Sequence, residues 1–147
     1  MTLGAIGSDG AGKLVESQLQ QEDLVYHIHK EDNTLTGQCA VTVNDGDRTC
    51  IAVLDACEAY PASHIESVLA RPEVQSCKAF YTTGFFVESN FKACQLMAEH
   101  ALKNNRLFCF NFAAEYLFES RQAEILEMLE FSDFVFCNRD EAFAATQ

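Results

Sequence analysis

Positive charge is scarce in this chain. Lys and Arg number 10 against 22 Asp and Glu, giving a formal net charge of −12 over 147 residues. A surface this acidic repels phosphate backbones and anionic membranes, so general nucleic-acid or membrane binding is excluded as the expected role. A nucleotide stays compatible through a local device: a helix N-terminus, a single Arg or Mg²⁺. The seven cysteines contain no Cys-x-x-Cys pair, and His27, His29, His64 and His100 make no zinc spacing with them. Cys39, Cys50, Cys77, Cys94, Cys109 and Cys137 lie in or beside apolar segments and read as small buried hydrophobes of a reducing compartment. No apolar run reaches transmembrane length, and the N-terminus lacks a basic region followed by a long apolar stretch. The expected compartment is the cytosol, with the nucleus as a second one. Linkers, internal repeats and low-complexity tracts are missing as well. What is present is a 48% apolar composition, enough for a core in one domain or a piece of one.

The pattern along the chain predicts an α/β fold. Thr2 to Ile6 reads as a strand, followed by Gly7-Ser8-Asp9-Gly10-Ala11-Gly12-Lys13 and a helix with Leu14, Val15 and Leu19 on one face. This turn narrowly misses a phosphate-binding P-loop. Leu14 stands where the Mg²⁺-binding hydroxyl belongs, and Asp9 puts a negative charge in the would-be nest. A helix-capping Asp9 with turn-shaping glycines is the reading kept. Residues 24–57 are richer in β signal. Leu24 to His29 alternates, Thr36 to Val43 is a strand, Asn44-Asp45-Gly46-Asp47 is a hairpin turn, and Arg48 to Cys57 is the return strand. Period two puts Arg48, Cys50, Ala52 and Leu54 on one face. That face suits a ligand with an apolar body and an anionic end, or belongs to an ordinary hairpin with a solvated Arg.

Helix–strand alternation resumes after Pro61. Ser63-His64-Ile65-Glu66 reads as a capping box, with the helix stopping at Pro72. Ala79 to Phe86 reads as a strand buried on both faces, inside a parallel sheet. Phe91, Cys94, Met97, Ala98 and Ala101 mark a helix closed by Asn104-Asn105. Leu107 to Phe112 and Phe134 to Cys137 are two more buried strands around the helix Gln122 to Phe131. In an open α/β sheet ligands bind beyond the strand carboxyl ends. Phe85, Phe86, Asn111, Asn138 and Glu141 all fall there. The rings suit a flat ligand or the core. The amide and carboxylate suit Mg²⁺ and its waters near phosphates, or a box-like helix cap at Asn138.

These blocks together resemble the adenosine kinases of the ribokinase-like (PfkB) carbohydrate and nucleoside kinase family. The resemblance rests on Gly4-Ala5-Ile6-Gly7-Ser8-Asp9-Gly10-Ala11-Gly12, Thr36-Gly37-Gln38-Cys39-Ala40 and Asp47-Arg48-Thr49. It continues through Ala79 to Phe86, Asn104-Asn105-Arg106-Leu107-Phe108, Phe110-Asn111-Phe112-Ala113-Ala114 and Asn138-Arg139-Asp140-Glu141, the family's Asn-x-x-Glu. It implies a ribokinase-like parallel sheet with flanking helices and an inserted β lid hairpin, incomplete at both ends. The lid would span residues 24–57 and the α/β core residues 1–23 and 58–147. The activity implied is transfer of the ATP γ-phosphate to the adenosine 5′-hydroxyl, giving AMP in purine salvage, with Mg²⁺. Cys50, Ala52 and Leu54 would line the adenosine pocket from the lid, and Arg48 would contact the transferring phosphate. Phe85 would stack on adenine with Phe86 behind it, and Tyr116 would be a pocket aromatic. Asn138 and Glu141, with Asn111 beside them, would organise ATP and Mg²⁺, Glu141 reaching the metal through water.

The departures shape the expectation. Asp55 replaces a small neutral residue, Cys50 a larger aliphatic one, and Glu115-Tyr116 the family's Pro-Phe. The ribose-gripping Gly-Gly motif and the late Asp-x-x-Gly-Ala-Gly-Asp motif, which carries the anion hole and the catalytic base, do not occur in these residues. The expectation is therefore a middle fragment of such a kinase, inactive alone, whose full-length parent is a monomer. Exposed sheet edges would let the fragment self-associate. The alternatives are a fragment of a PfkB-type sugar kinase and a non-catalytic truncated paralogue acting as a binding module.

Overall fold

Strand β1 (Thr2–Gly7), helix α1 (Gly10–Gln21) and strand β2 (Tyr26–Glu31) form a βαβ unit, with Thr2 opposite Tyr26 and Gly7 opposite Glu31 in parallel register. A computed structural model describes residues 1–147. It divides the chain into two units, Met1–Tyr60 and Pro61–Gln147. In the first, β3 (Gln38–Asn44) and β4 (Asp47–Val53) pair antiparallel as a separate hairpin, turned by Asp45 and Gly46 at positive φ. The turn chemistry is the one an Asp-Gly hairpin requires.

Several expectations change here. The return strand stops at Val53 rather than Cys57, because Leu54 takes helical dihedrals and Asp55 to Cys57 forms a 3₁₀ turn. The expected inward face of α1 is not covered: Leu14 is 61% and Val15 39% exposed, and Gly12 is the buried residue of the helix. A two-stranded sheet is too narrow to back a whole helix face, so only the first turn packs. The cysteines also differ from the uniform buried reading. Cys94 is buried, but Cys39, Cys50 and Cys137 are exposed. The first two sit on a hairpin whose strands are exposed on both faces.

The second unit contains α2 (Ala62–Leu69), α3 (Pro72–Gln75), β5 (Ala79–Thr83), α4 (Gly84–Lys103), β6 (Leu107–Asn111), α5 (Leu117–Ser120), α6 (Gln122–Phe131), β7 (Phe134–Phe136) and α7 (Arg139–Ala144). Its parallel sheet has the order β5-β6-β7. Pro61, not Ser63, is the N-cap of α2, and no side chain caps it. Proline fixes an extended entry, the helix starts at once, and Ser63 is already inside it. Pro72 opens α3 instead of only ending a helix, at the first-turn position where its missing N–H costs nothing. Asn104 and Asn105 close α4 as expected. Asn105 has φ 52°, its N–H donates to Leu102 O, and Arg106 N–H donates to Ala101 O, the paired bonds of a Schellman ending.

The sheet is buried on one face only. Phe80, Thr82, Phe108 and Phe110 are covered, with α4 packed on β5 and β6 and against α2 and α6. On the other face Tyr81 and Leu107 are 57% and 44% exposed, and Phe134 and Phe136 are 55% and 51% exposed. The reading of Ala79 to Phe86 as a strand buried on both faces is therefore corrected, because no helix of this unit covers the second face. No helix is long and apolar enough to cross a membrane.

Candidate functional site

The turn after β1 is filled by side chains of the chain itself. Asp9 Oδ1 accepts from Gly12 N–H at 2.9 Å and from the Thr36 hydroxyl at 2.6 Å, while Oδ2 accepts from Thr36 N–H at 3.2 Å. The Thr36 hydroxyl oxygen in turn accepts from Gly7 N–H at 3.0 Å. The glycines are there for contact. A Cβ on Gly12 would lie 2.3 Å from Gly7 O, and one on Gly7 would lie 2.1 Å from Thr34 O. Asp9 caps the helix as the sequence predicts. The partnership with Thr36, 27 residues on, is not visible in local pattern.

The Thr36 hydroxyl and then the Gly12 amide hold the Asp9 carboxyl below the usual Asp range. A depressed folded pKa gives stability that is present above the unfolded value, about 4, and lost as pH falls through the folded value. The Met1–Tyr60 unit should therefore lose stability on acidification below about pH 4. Asp9→Asn should flatten that part of the curve. Thermal unfolding across pH, followed for both proteins, checks it, and a parallel acid limb in the variant would refute the assignment.

On the hairpin, register places Cys39 opposite Ala52, Val41 opposite Cys50 and Val43 opposite Arg48. Residues directly opposite share a face, so Arg48, Cys50 and Ala52 do lie together, all exposed. Leu54 leaves that face, since it is past the end of β4 and half-buried. Asp55 has φ 42°, a left-handed conformation that Asp tolerates better than most residues.

In the other unit, Thr83, Asn111 and Phe136 are in line at the carboxyl ends of β5, β6 and β7. The segments that follow meet there. Phe85 and Phe86 are not strand residues, because α4 begins at Gly84 and both rings belong to its first turn. Gly84 permits this approach: a Cβ would lie 2.3 Å from Phe112 O. Phe85 is 51% exposed and Phe86 half-buried, so the outer ring is the one free to stack. A break at Asn90 (φ −155°, ψ 78°) divides α4, and Asn90 Oδ1 accepts from Ala93 N–H at 3.0 Å to restart it.

Beyond β6 the chain turns through Ala113 at φ 72°, a strained position for a residue with a Cβ. Tyr116 follows, 46% exposed, its hydroxyl donating to Glu88 Oε2 at 2.8 Å. Partial burial, and then Glu88, push the phenol up to about 12, so it remains a donor at neutral pH. Glu88 was not singled out by sequence reasoning, and no local signal marked it.

Beyond β7, Asn138 caps α7 by accepting from Asp140 and Glu141 N–H at 2.9 and 2.8 Å. Glu141 completes the box. Its Oε2 accepts from Asn138 N–H at 3.1 Å and its Oε1 from Asn138 Nδ2 at 2.8 Å, with the residue only 7% exposed. Each carboxylate oxygen keeps one further lone pair. No group of three or more His, Cys, Asp or Glu side chains converges anywhere. These residues build no direct metal cage, and the free lone pairs of Glu141 are the ones open to a water-bound cation. Phe85, Phe86, Asn111, Tyr116, Asn138 and Glu141 belong to this unit, and Arg48, Cys50, Ala52 and Leu54 to Met1–Tyr60.

Comparison with known proteins gives a consistent result. The chain is 31% identical over 140 residues to adenosine kinase 2 of Arabidopsis thaliana, covering 95% of this chain and 41% of that protein. It matches the Schistosoma mansoni adenosine kinase in complex with 2-fluoroadenosine at 31% identity and a TM-score of 0.86, over 97% of this chain and 42% of that one. It matches the Anopheles gambiae adenosine kinase in complex with P1,P4-di(adenosine-5) tetraphosphate at 26% identity and a TM-score of 0.90, over 98% and 43%. The chain thus spans about 41% of the length of these curated relatives. The model of the pfkB family carbohydrate kinases matches residues 2–147, and the chain belongs to that family.

Proposed function

We propose that each unit carries residues that bind nucleoside or phosphate in an adenosine kinase, which transfers the ATP γ-phosphate to the adenosine 5′-hydroxyl. The observation that carries this reading is the likeness to adenosine kinases along 95% of the chain, including structures bound to adenosine-type ligands. The geometry supports it. Phe85 offers a half-exposed ring at a strand carboxyl edge, suited to stacking on a purine. Cys50 and Ala52 form an apolar patch with Arg48 at one end of the same hairpin face, suited to a nucleoside carrying an anion. Leu54, off that strand, would reach the base from the adjoining turn. Phe86 would back Phe85, and Tyr116, its hydroxyl tied to Glu88, would bound the nucleoside site.

Asn138 and Glu141, with Asn111 nearby, would organise ATP phosphates and hydrated Mg²⁺. When bound, the ion supplies charge neutralisation. The chain's own contribution is to hold an amide and a carboxylate in fixed orientation through the α7 cap. Phosphoryl transfer depends on positioning and electrostatic stabilisation. The 147 residues carry no glycine-rich anion hole with its catalytic Asp, so adenosine turnover belongs to a longer chain, and this one alone binds without turning over. A sugar kinase is the poorer fit, because a half-exposed phenyl ring and an apolar hairpin face offer a sugar few polar partners.

Calorimetry on the purified chain tests the binding part. Adenosine should bind and ribose should not compete. Phe85→Ala should weaken adenosine by roughly 5- to 150-fold, the worth of one base–aromatic stack. Equal competition by ribose would overturn the nucleoside assignment. AMP formation by the chain alone, abolished by Arg48→Ala, would overturn its inactivity.

A further inference from the structure

We propose that Cys39 and Cys50 form a paired-thiol modification site on the β3–β4 hairpin, which closes into a reversible internal disulfide when a small-molecule disulfide is the oxidant. The inference goes beyond the nucleoside reading and does not depend on it. The register fixes the arrangement. Cys39 faces Ala52 and Cys50 faces Val41, so the two cysteines are diagonal neighbours on one face of an antiparallel pair. Such neighbours lie about 7–8 Å apart, with their Cβ atoms closer. Desolvation, and then the neighbouring Cys50, hold the Cys39 thiol above its usual range, and the Cys39 sulfur lies 3.9 Å from Ala40 O. Both are exposed, as is Cys137 in the other unit, whereas Cys94 is buried and Cys57, Cys77 and Cys109 are partly covered. Exposure and a nearby resolving thiol favour reversible thiol oxidation; the raised Cys39 thiol slows it near neutrality, and mildly alkaline pH restores the thiolate.

The reaction is two exchanges. One cysteine thiolate attacks the small disulfide RS–SR, forming a protein–SR bond and releasing RS⁻, which takes a proton from water. The second cysteine, deprotonated in turn, attacks the protein sulfur of that mixed disulfide and expels the second RS⁻. Two protein thiols lose two electrons and two protons, and one RS–SR becomes two RSH. The diagonal spacing lies just beyond the usual range for a disulfide, whose Cα atoms are usually within about 6.8 Å, so the backbone must move to close it. Closing it therefore needs extra twist. A two-stranded ribbon has that freedom, and this one is exposed on both faces. A bond made under such strain belongs to the easily reduced, labile class rather than the structural one.

The test treats the fully reduced chain with oxidised glutathione at mildly alkaline pH, traps free thiols by alkylation, and reads intact mass and a peptide map. The first internally bridged product should be about 2 Da lighter and should link Cys39 to Cys50, and dithiothreitol should reverse it. Cys39→Ser and Cys50→Ser should each halt at a persistent glutathione adduct on the remaining cysteine. Circular dichroism matching the parent checks the fold of both variants, and the map of the unmodified chain stands without them. A first bridge between other cysteines, or glutathione adducts at Cys39 and Cys50 that never close, would overturn the proposal.

Discussion

Gly84→Ala is expected to destabilise the Pro61–Gln147 unit by about 3 kcal/mol, the upper part of the range for forced overpacking. Helix propensity predicts the opposite sign, since alanine in a helix is worth about 1 kcal/mol more than glycine. Contact decides. The added Cβ would lie 2.3 Å from Phe112 O, 3.2 Å from Phe112 C and 2.7 Å from Leu117 Cδ1. The first two are backbone atoms, in a segment already bent through Ala113 at φ 72°, and Leu117 is fully buried. None can swing aside as an exposed side chain would. The first turn of α4 must therefore move and carry Phe85 with it, so on the proposed nucleoside reading adenosine affinity should fall together with stability. Gly10→Ala is the control, because nothing lies within 4 Å of its Cβ. It should be neutral or stabilising by up to about 1 kcal/mol. Urea unfolding of the two variants beside the parent is the measurement. A Gly84→Ala protein as stable as the parent would mean that α4 does not sit against Phe112 in solution.

The same glycine shows what the amino-acid sequence reveals and what it withholds. An uncharged run from Ala79 through Phe86 identifies a buried segment. It cannot say where strand becomes helix, because buried strand and buried helix start share that composition. The boundary at Gly84 is set by close approach to Phe112, a residue 28 positions away. Likewise Asp9 is legible as a cap from its neighbours, but its bonds to Thr36 are tertiary. The Asn138–Glu141 box was legible in full because all its partners lie within one turn. Among candidate site residues the same division holds. Period two places Arg48, Cys50 and Ala52 on one face, since a strand enforces it, and fails at Leu54 where the strand ends and Asp55 turns through φ 42°. Tyr116 could be found by resemblance, but its partner Glu88 could not be found by any local rule.

Phe110→Ala and Tyr81→Ala should differ sharply, although both residues lie in strands read from sequence as equally buried. Phe110 is fully buried and stacks edge-to-face on Phe112 at 6.0 Å, which in turn meets Phe118 at 4.9 Å. Removing its ring leaves a cavity at the centre of β6, at a cost of about 3–5 kcal/mol. That is a large share of the 5–15 kcal/mol that holds a typical domain folded, so the variant should unfold at clearly lower denaturant than the parent. Tyr81 points to the uncovered face, 57% exposed, with Phe136 at 6.2 Å as its aromatic neighbour. Its removal forfeits one exposed ring pair and should cost no more than about 1 kcal/mol. Chemical denaturation of both variants at low protein concentration measures the difference. Repeating it across a hundredfold concentration range gives the result its second use. If a second copy covers the open face, the denaturation midpoint rises with concentration and the Tyr81→Ala penalty grows with it. If the face stays bare, the penalty is small and constant, and the asymmetry between the two faces of the sheet is a property of the single chain.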